Sequence, residues 1–257
     1  MNIEESKKIT LSLIDTFDQA GNIALSLRAA GLKKTIKSDN TPVTNGDLEV
    51  NKILLRKISE LTPNIAIVSE ENLENKDDVN LKNFWLIDPI DGTRDYIENR
   101  DEFTVNAALI INNEPLIGVI NAPGKKRIFY AYGKSNSYEL KNNVHINLSK
   151  KEKKNSKEIK AVTYSNDLRS DIKEIYKKNS VTYFQKMKSS YKFCVVATGE
   201  FDLYAAEPRA CEWDIAAGHA ILEQAGGKIT DFLGNKILYG KKNFYNSSII
   251  LKSKNIL

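Results

Sequence analysis

The sequence predicts a mixed α/β protein, with an α+β lobe over residues 1–155 followed by an α/β lobe over 156–257, joined as one compact unit. Three observations carry this expectation. Two long stretches with helical apolar spacing open the 257-residue chain. Short apolar runs of strand type come next, and near residue 160 the pattern changes to alternating strands and helices. Between these regions, at about 149–158, lies a stretch rich in Lys, Glu, Ser and Asn with the composition of a boundary.

Ile9, Leu11, Leu13, Ile14, Phe17, Ala20, Ile23, Ala24 and Leu27 recur at helical spacing and predict a first helix that stops at Gly31. Thr44-Asn45-Gly46-Asp47 leads into a second, marked by Leu48, Val50, Ile53, Leu54 and Ile58 and ended by Thr62-Pro63-Asn64. Residues 65–68 and 84–87 read as short strands, the first delivering Glu70 and Glu71, the second Asp88 and Asp91. Residues 104–111 and 115–121 read as neighbouring strands joined by Asn112-Asn113-Glu114, and 128–132 and 137–140 extend a largely antiparallel sheet. In the second lobe, 161–164 and 247–251 read as strands and 167–179, 191–198 and 213–225 as helices.

At 41% hydrophobic, the chain can bury a substantial core. The net charge of +5 suits an anionic small molecule as well as a nucleic acid. Basic residues are dispersed, and the run Lys150, Lys151, Lys153, Lys154 reads as a solvated loop. With no aromatic–basic recognition motif, no nucleic-acid partner is expected. Cys194, Cys211, His145 and His219 do not form a zinc pattern, and the thiols are expected to be reduced and buried. The charged N-terminus lacks an apolar leader and no run reaches membrane-spanning length. The expectation is a cytoplasmic protein without an integral membrane segment, a monomer or homodimer.

The informative residues are acids at the ends of apolar runs. In Asp88-Pro89-Ile90-Asp91-Gly92-Thr93, Pro89 stops the strand and a tight turn can aim both carboxylates at one point. Gly92 permits close backbone approach, and Thr93 can open a helix whose free N–H groups face an anion. Glu70 could add a third carboxylate and Asp214, at the start of an apolar helix, a fourth. Taken singly, each reads as well as a turn residue, a solvated loop or a helix cap. Together they suit magnesium, which prefers oxygen ligands.

Three segments in this order resemble the inositol monophosphatase family. They are Val68-Ser69-Glu70-Glu71, Trp85-Leu86-Ile87-Asp88-Pro89-Ile90-Asp91-Gly92-Thr93 and Trp213-Asp214-Ile215-Ala216-Ala217-Gly218, preceded by Thr41-Pro42-Val43-Thr44-Asn45-Gly46-Asp47. The resemblance implies a layered αβαβα sandwich and Mg²⁺-dependent phosphomonoesterase chemistry. It implies one metal on Glu70, Asp88 and the Ile90 carbonyl, a second on Asp88, Asp91 and Asp214, and room for a third near Glu70. By the same carry-over, Gly92 and Thr93 contact the phosphate. Glu70, Asp47 and Thr93 orient or deprotonate the attacking water.

Glu102-Phe103-Thr104-Val105-Asn106 and Ser189-Ser190-Tyr191-Lys192-Phe193-Cys194 are similar to the 3′(2′),5′-bisphosphate nucleotidase (CysQ) branch. That implies hydrolysis of the 3′-phosphate of adenosine 3′,5′-bisphosphate, or of its sulfated form, with Ser189, Lys192 and Asp214 on the substrate. An inositol- or sugar-phosphate phosphatase is the alternative, and a non-catalytic nucleotide or anion binder a third. Three departures from the branch concern the leaving-group side. Lys188 stands where Gly is usual, Arg209 follows Pro208 three positions late, and Tyr164-Ser165-Asn166 lacks a basic residue. Arg94, Asp95 and Tyr96 read as a helix start.

Overall fold

The structure, a computed structural model, describes residues 1–38, 40–72, 81–153 and 158–257. The expected boundary at 155/156, and Lys154, lie outside the described residues.

Helix α1 (Ile3–Ala30) begins with Asn2 and Glu5 capping each other's backbone N–H and ends at Gly31, as its spacing predicts. A small hairpin, β1 (Lys34–Ile36) and β2 (Pro42–Thr44), leads into α2 (Asn45–Leu61). Its N-cap is Thr44 with Asp47 reaching back, so the Thr-x-x-Asp signature is a reciprocal cap.

Seven strands then form one sheet in chain order: β3 (Ala66–Ser69), β4 (Phe84–Asp91), β5 (Thr104–Ile111), β6 (Glu114–Ala122), β7 (Arg127–Ala131), β8 (Ser137–Lys141) and β9 (Val144–Asn147). Only β3 and β4 run parallel; the other neighbours are antiparallel. The short helix α3 (Thr93–Ile97) interrupts the sheet between β4 and β5, where Arg94, Asp95 and Tyr96 were expected to open a helix. Asn112 and Asn113 take positive φ in the β5–β6 turn, as its sequence requires.

The second sheet holds β10 (Ile159–Thr163), β11 (Val181–Lys186), β12 (Leu203–Ala206), β13 (Lys228–Thr230) and β14 (Ile249–Lys252), in the order β11-β10-β12-β14-β13. Its helices are α4 (Ser170–Lys178), α5 (Tyr191–Ala197) and α6 (Glu212–Gln224). Helix α4 starts three residues later than its apolar pattern suggested, because Leu168 turns into the core ahead of the helix.

These elements stack as αβαβα. Helices α1 and α2 cover one face of the large sheet, α5 and α6 fill the space between the sheets, and α4 covers the outer face of the second. On β4, Trp85 and Ile87 enter the core under α1 and α2, while Phe84 and Leu86 enter the core around α5 and α6. A strand buried on both faces reads as a continuous apolar run, which is the pattern at 84–87.

Helix α6 sits very close to β6: a Cβ on Gly118 would lie 2.4 Å from the carbonyl oxygen of Ala217 and 2.9 Å from the Cβ of Ala220. Gly118→Val should therefore destabilise the fold by about 1–3 kcal/mol, an overpacking cost that urea unfolding would detect as a lowered midpoint at unchanged slope.

Candidate active site

The site forms where β4 breaks its register. Asp88 pairs with Asn106 and Asp91 with Thr104, so three steps on β4 match two on β5. In a regular strand, residues three apart point to opposite faces. The extra residue reverses the alternation, and Ile90 continues the face of Trp85 and Ile87. That leaves Asp88 and Asp91 on the face towards α6. Pro89 suits the bulge because it has no N–H to offer the ladder.

Asp214 comes from the third position of α6, where its Oδ2 accepts from the N–H of Cys211 at 2.7 Å. It is both a helix cap and a member of the cluster. One carboxylate oxygen from each of Asp88, Asp91 and Asp214 lies within 4.8 Å of the others. Ser190, just ahead of α5, ties the parts together. Its N–H and hydroxyl both reach Asp91 Oδ2, the hydroxyl at 2.7 Å, and the hydroxyl also meets the carbonyl of Asp214.

Charge is concentrated here at a cost. Burial, with repulsion from Asp91 and Glu70, pushes the Asp214 carboxyl up to about 8. Burial is also the main cause at Asp88, which is raised well above the carboxylate range with Glu70, Asp91 and Asp214 adding to it. Asp91 is raised by burial despite the opposing pull of Lys192 and Ser190. Glu70 follows β3, reaches about 7 through burial, and lies 3.4 Å from the ammonium of Lys37, which also holds Glu71 at 2.7 Å. Glu70 is not one of the tight trio but stands close enough to raise both Asp88 and Asp214.

The trio fits a hard divalent cation. Its donors are all oxygens, and Oδ1 of fully buried Asp88 has no hydrogen-bond partner among the described residues. Oγ1 of Thr104 and Oδ1 of Asn106, on the residues opposite the bulge, are likewise unpartnered and buried.

Beside the trio, Gly92 is left-handed (φ +93°) and precedes α3, and a Cβ there would come within 3.2 Å of the Glu102 carbonyl. The Thr93 hydroxyl lies 3.2 Å from Oδ1 of Asp47 and 3.1 Å from the Ile90 carbonyl. Asp47 is buried, and burial raises its carboxyl to about 6 although Thr44 donates to it twice.

Asp91, Gly92, Ser189, Lys192 and Asp214 line one cleft. Lys192 is 9% exposed, its Nζ donates to the Ser189 carbonyl and lies 5.5 Å from the Tyr204 ring centre, and burial lowers its pKa to about 8. The far wall is a stack that the sequence did not announce. The Arg209 guanidinium lies 3.9 Å from the Tyr164 ring centre, and the Tyr164 hydroxyl donates to Glu207 at 2.6 Å.

Every acid singled out from the sequence therefore stands in or beside one site. Sequence reasoning did not assign Ser190, Asn106 or Lys37. The Ser-Ser doublet and Asn106 were visible in the branch motif, whereas Lys37 lies in an unpatterned polar stretch. Neither Cys194 nor Cys211 forms a disulfide, as expected, but only Cys194 is buried. Cys211 is half-buried because it is the N-cap ahead of α6, not inside a helix.

The chain matches the description of the inositol monophosphatase family over residues 6–256. It is 34% identical over 225 residues to the 3′(2′),5′-bisphosphate nucleotidase CysQ of Buchnera aphidicola subsp. Acyrthosiphon pisum, covering 82% of this chain and 80% of that protein. With the protein of the same name from Aggregatibacter actinomycetemcomitans, identity is 31% over 243 residues, covering 93% and 90%. The crystal structure of CysQ from Bacteroides thetaiotaomicron, a bacterial member of the inositol monophosphatase family, superposes with a TM-score of 0.78 at 27% identity, covering 98% of this chain and 99% of the other.

Fold, relatives and acidic site together make this protein a phosphoric monoester hydrolase. It belongs to the inositol monophosphatase family.

The raised carboxyls give a sign for the metal-free protein. Folded Asp214 and Glu70 hold protons to about 8 and 7, above their unfolded values, so the native state binds more protons and stability falls as pH rises through that range. In chelator, the unfolding midpoint should drop between pH 5 and pH 8, and an excess of a divalent cation that the trio binds should remove the drop. Asp214→Asn keeps an oxygen for the Cys211 N–H but carries no charge. It should raise the chelated midpoint at pH 8 by about 2–4 °C and leave it unchanged at pH 5.

Proposed function

We propose that the protein is a Mg²⁺-dependent phosphomonoesterase that removes the 3′-phosphate of adenosine 3′,5′-bisphosphate, or of its sulfated form, to leave AMP or the sulfated nucleotide. The observation that carries the metal chemistry is the trio Asp88, Asp91 and Asp214, the first buried and the other two half-buried, with an unpartnered oxygen on Asp88. Asp88, Asp91, Asp214, Glu70 and the Ile90 carbonyl would hold two Mg²⁺ ions, with a third near Glu70 once Lys37 moves aside. When bound, Mg²⁺ neutralises charge on the phosphoryl group and lowers the pKa of water at the site.

The remaining steps fall to the chain's own groups. Gly92 and Thr93, at the start of α3, seat the phosphoryl oxygens through backbone N–H groups. The Thr93 hydroxyl, pointed at Asp47 Oδ1, accepts a hydrogen bond from the attacking water while offering its own proton to Asp47. Asp47, with an ordinary acid range raised to about 6, can take that proton near neutrality. Glu70 helps to orient the same water. Ser189 and Lys192 bind the second phosphate, for which a buried ammonium beside the trio is a fitting partner.

The bisphosphate substrate is supported by the names of the relatives and by the cationic side of the cleft, where Lys188, Lys192 and Arg209 stand together. Cysteines outside any disulfide suit the cytoplasm, and a monomer or homodimer would serve, since the described residues of one chain supply the acidic trio. We take 1–155 and 156–257 as two lobes with the acidic cluster at their seam. No described helix is long and apolar enough to cross a membrane.

Phosphate release from adenosine 3′,5′-bisphosphate and inositol 1-phosphate, measured side by side with Mg²⁺ and with EDTA, tests the proposal. A preference for the bisphosphate that EDTA abolishes is expected; preference for the inositol ester would assign a different substrate. Asp88→Asn should lower kcat by roughly a hundredfold or more, the scale of losing a main electrostatic group at the reacting centre. Lys192→Ala should reduce kcat/KM for the bisphosphate by roughly tenfold to a hundredfold, the worth of a charge-assisted contact, and affect inositol 1-phosphate far less.

A further inference from the structure

Two carboxylates that line the cleft are left unused by the roles above, and of these Glu207 already accepts from the Tyr164 hydroxyl. Asp95 is the third residue of α3, and its side chain is 9% exposed. Asp95 lines the same cleft as Asp91, Gly92 and Ser189. Arg100 holds it from the other side: its Nε donates to Asp95 Oδ1 at 2.6 Å, and its N–H donates to the Asp95 carbonyl at 2.8 Å. Among the described residues no further hydrogen bond reaches this carboxylate, so Oδ2 is an unpartnered acceptor on a nearly buried, anchored side chain.

An ionised carboxylate accepts hydrogen bonds and donates none. Next to a seat for phosphoryl oxygens, it repels a second anion and attracts a hydroxyl. The cradle at Gly92 and Thr93 fixes where the ester phosphate sits, and Asp95 stands two residues further along the same short helix. The group presented to it is therefore the one bonded next to the ester carbon on the leaving alcohol. We propose, on the basis of the nucleotidase function above, that Asp95 is a specificity residue that accepts a hydrogen bond from the free hydroxyl adjacent to the scissile phosphate. In a ribonucleotide 3′-phosphate that group is the 2′-hydroxyl; in a 2′-phosphate it is the 3′-hydroxyl. One acceptor serves both because the two hydroxyls are vicinal. Arg100 keeps the carboxylate aimed, and the negative charge disfavours esters that carry another phosphate at the neighbouring position.

The test compares kcat/KM for adenosine 3′,5′-bisphosphate and its 2′-deoxy analogue in the Mg²⁺-loaded wild type, Asp95→Ala and Asp95→Asn. A site built to bond a hydroxyl rejects the analogue lacking it, so the wild type should favour the ribonucleotide by roughly tenfold or more. Asp95→Ala should bring the ratio close to one by lowering the ribonucleotide value alone. Retained turnover of the deoxy substrate shows that the fold and acidic trio are intact. Asp95→Asn, whose amide oxygen still accepts, should give an intermediate ratio and decides the matter if the alanine variant does not fold. A wild-type ratio near one, or a ratio that neither substitution changes, overturns the inference while the nucleotidase function stands. If the wild type hydrolyses neither bisphosphate, that function falls and the inference with it.

Discussion

The crowding of carboxylates at the seam of strand and helix is the constraint around which the site is arranged. Asp88 is buried and Asp91 and Asp214 half-buried where they converge, with Glu70 beside them, and loss of hydration together with mutual repulsion would drive such groups to protonate. A chain selected only for stability would not keep them. Their convergence depends on two backbone features far apart in sequence: the extra residue in β4 and the first turn of α6. Ser190 joins these by bonding Asp91 with its N–H and hydroxyl and reaching the Asp214 carbonyl.

The surrounding layers explain how so unfavourable a cluster is held. Helix α6 lies between the two sheets, against β6 on one side and α5 on the other, with contacts tight enough to demand glycine at position 118. The fully buried Glu212, just before Trp213, accepts from the N–H groups of Gly240 and Lys241 and pairs with the Lys241 ammonium at 2.7 Å. The start of α6 is thereby fastened to the loop ahead of β14. Further anchoring comes from Arg127, buried between Glu139 and Glu200, which donates to the Tyr191 hydroxyl at 2.6 Å at the base of α5. Site residues on short helices are thus positioned by longer-range contacts, because a seven-residue helix such as α5 has little stability of its own.

Different parts of the chain line the two sides of the cleft. The bulged strand, the residue after β3, α2 and the start of α6 provide the acids, and Gly92 opens α3 beside them. The second sheet and its loops provide the cationic and aromatic wall, where Tyr164, Glu207 and Arg209 support one another. The departures from the branch pattern at Lys188, Tyr164 and Arg209 all fall on this wall. Arg209 therefore reaches the cleft despite its shifted position in sequence.

Much of the fold is legible in the sequence. The apolar spacing of α1, α2 and α6, the run at 84–87 and the hairpin at Asn112-Asn113 depend on local periodicity and turn chemistry, which a sequence carries directly. Strands β1, β2, β9, β11, β12 and β13 were not read, for physical reasons. They are short, and β11 is an edge strand whose side chains are mostly exposed, so no alternation of apolar residues marks it. Similarly, the sequence determined which residues are acidic and that they end apolar runs. The tertiary structure decided that Asp88 and Asp91 share a face, that Asp214 is cap and cluster member at once, and that Lys37 meets Glu70. Those facts depend on register and on long-range packing, and both are properties of paired elements that no single segment contains.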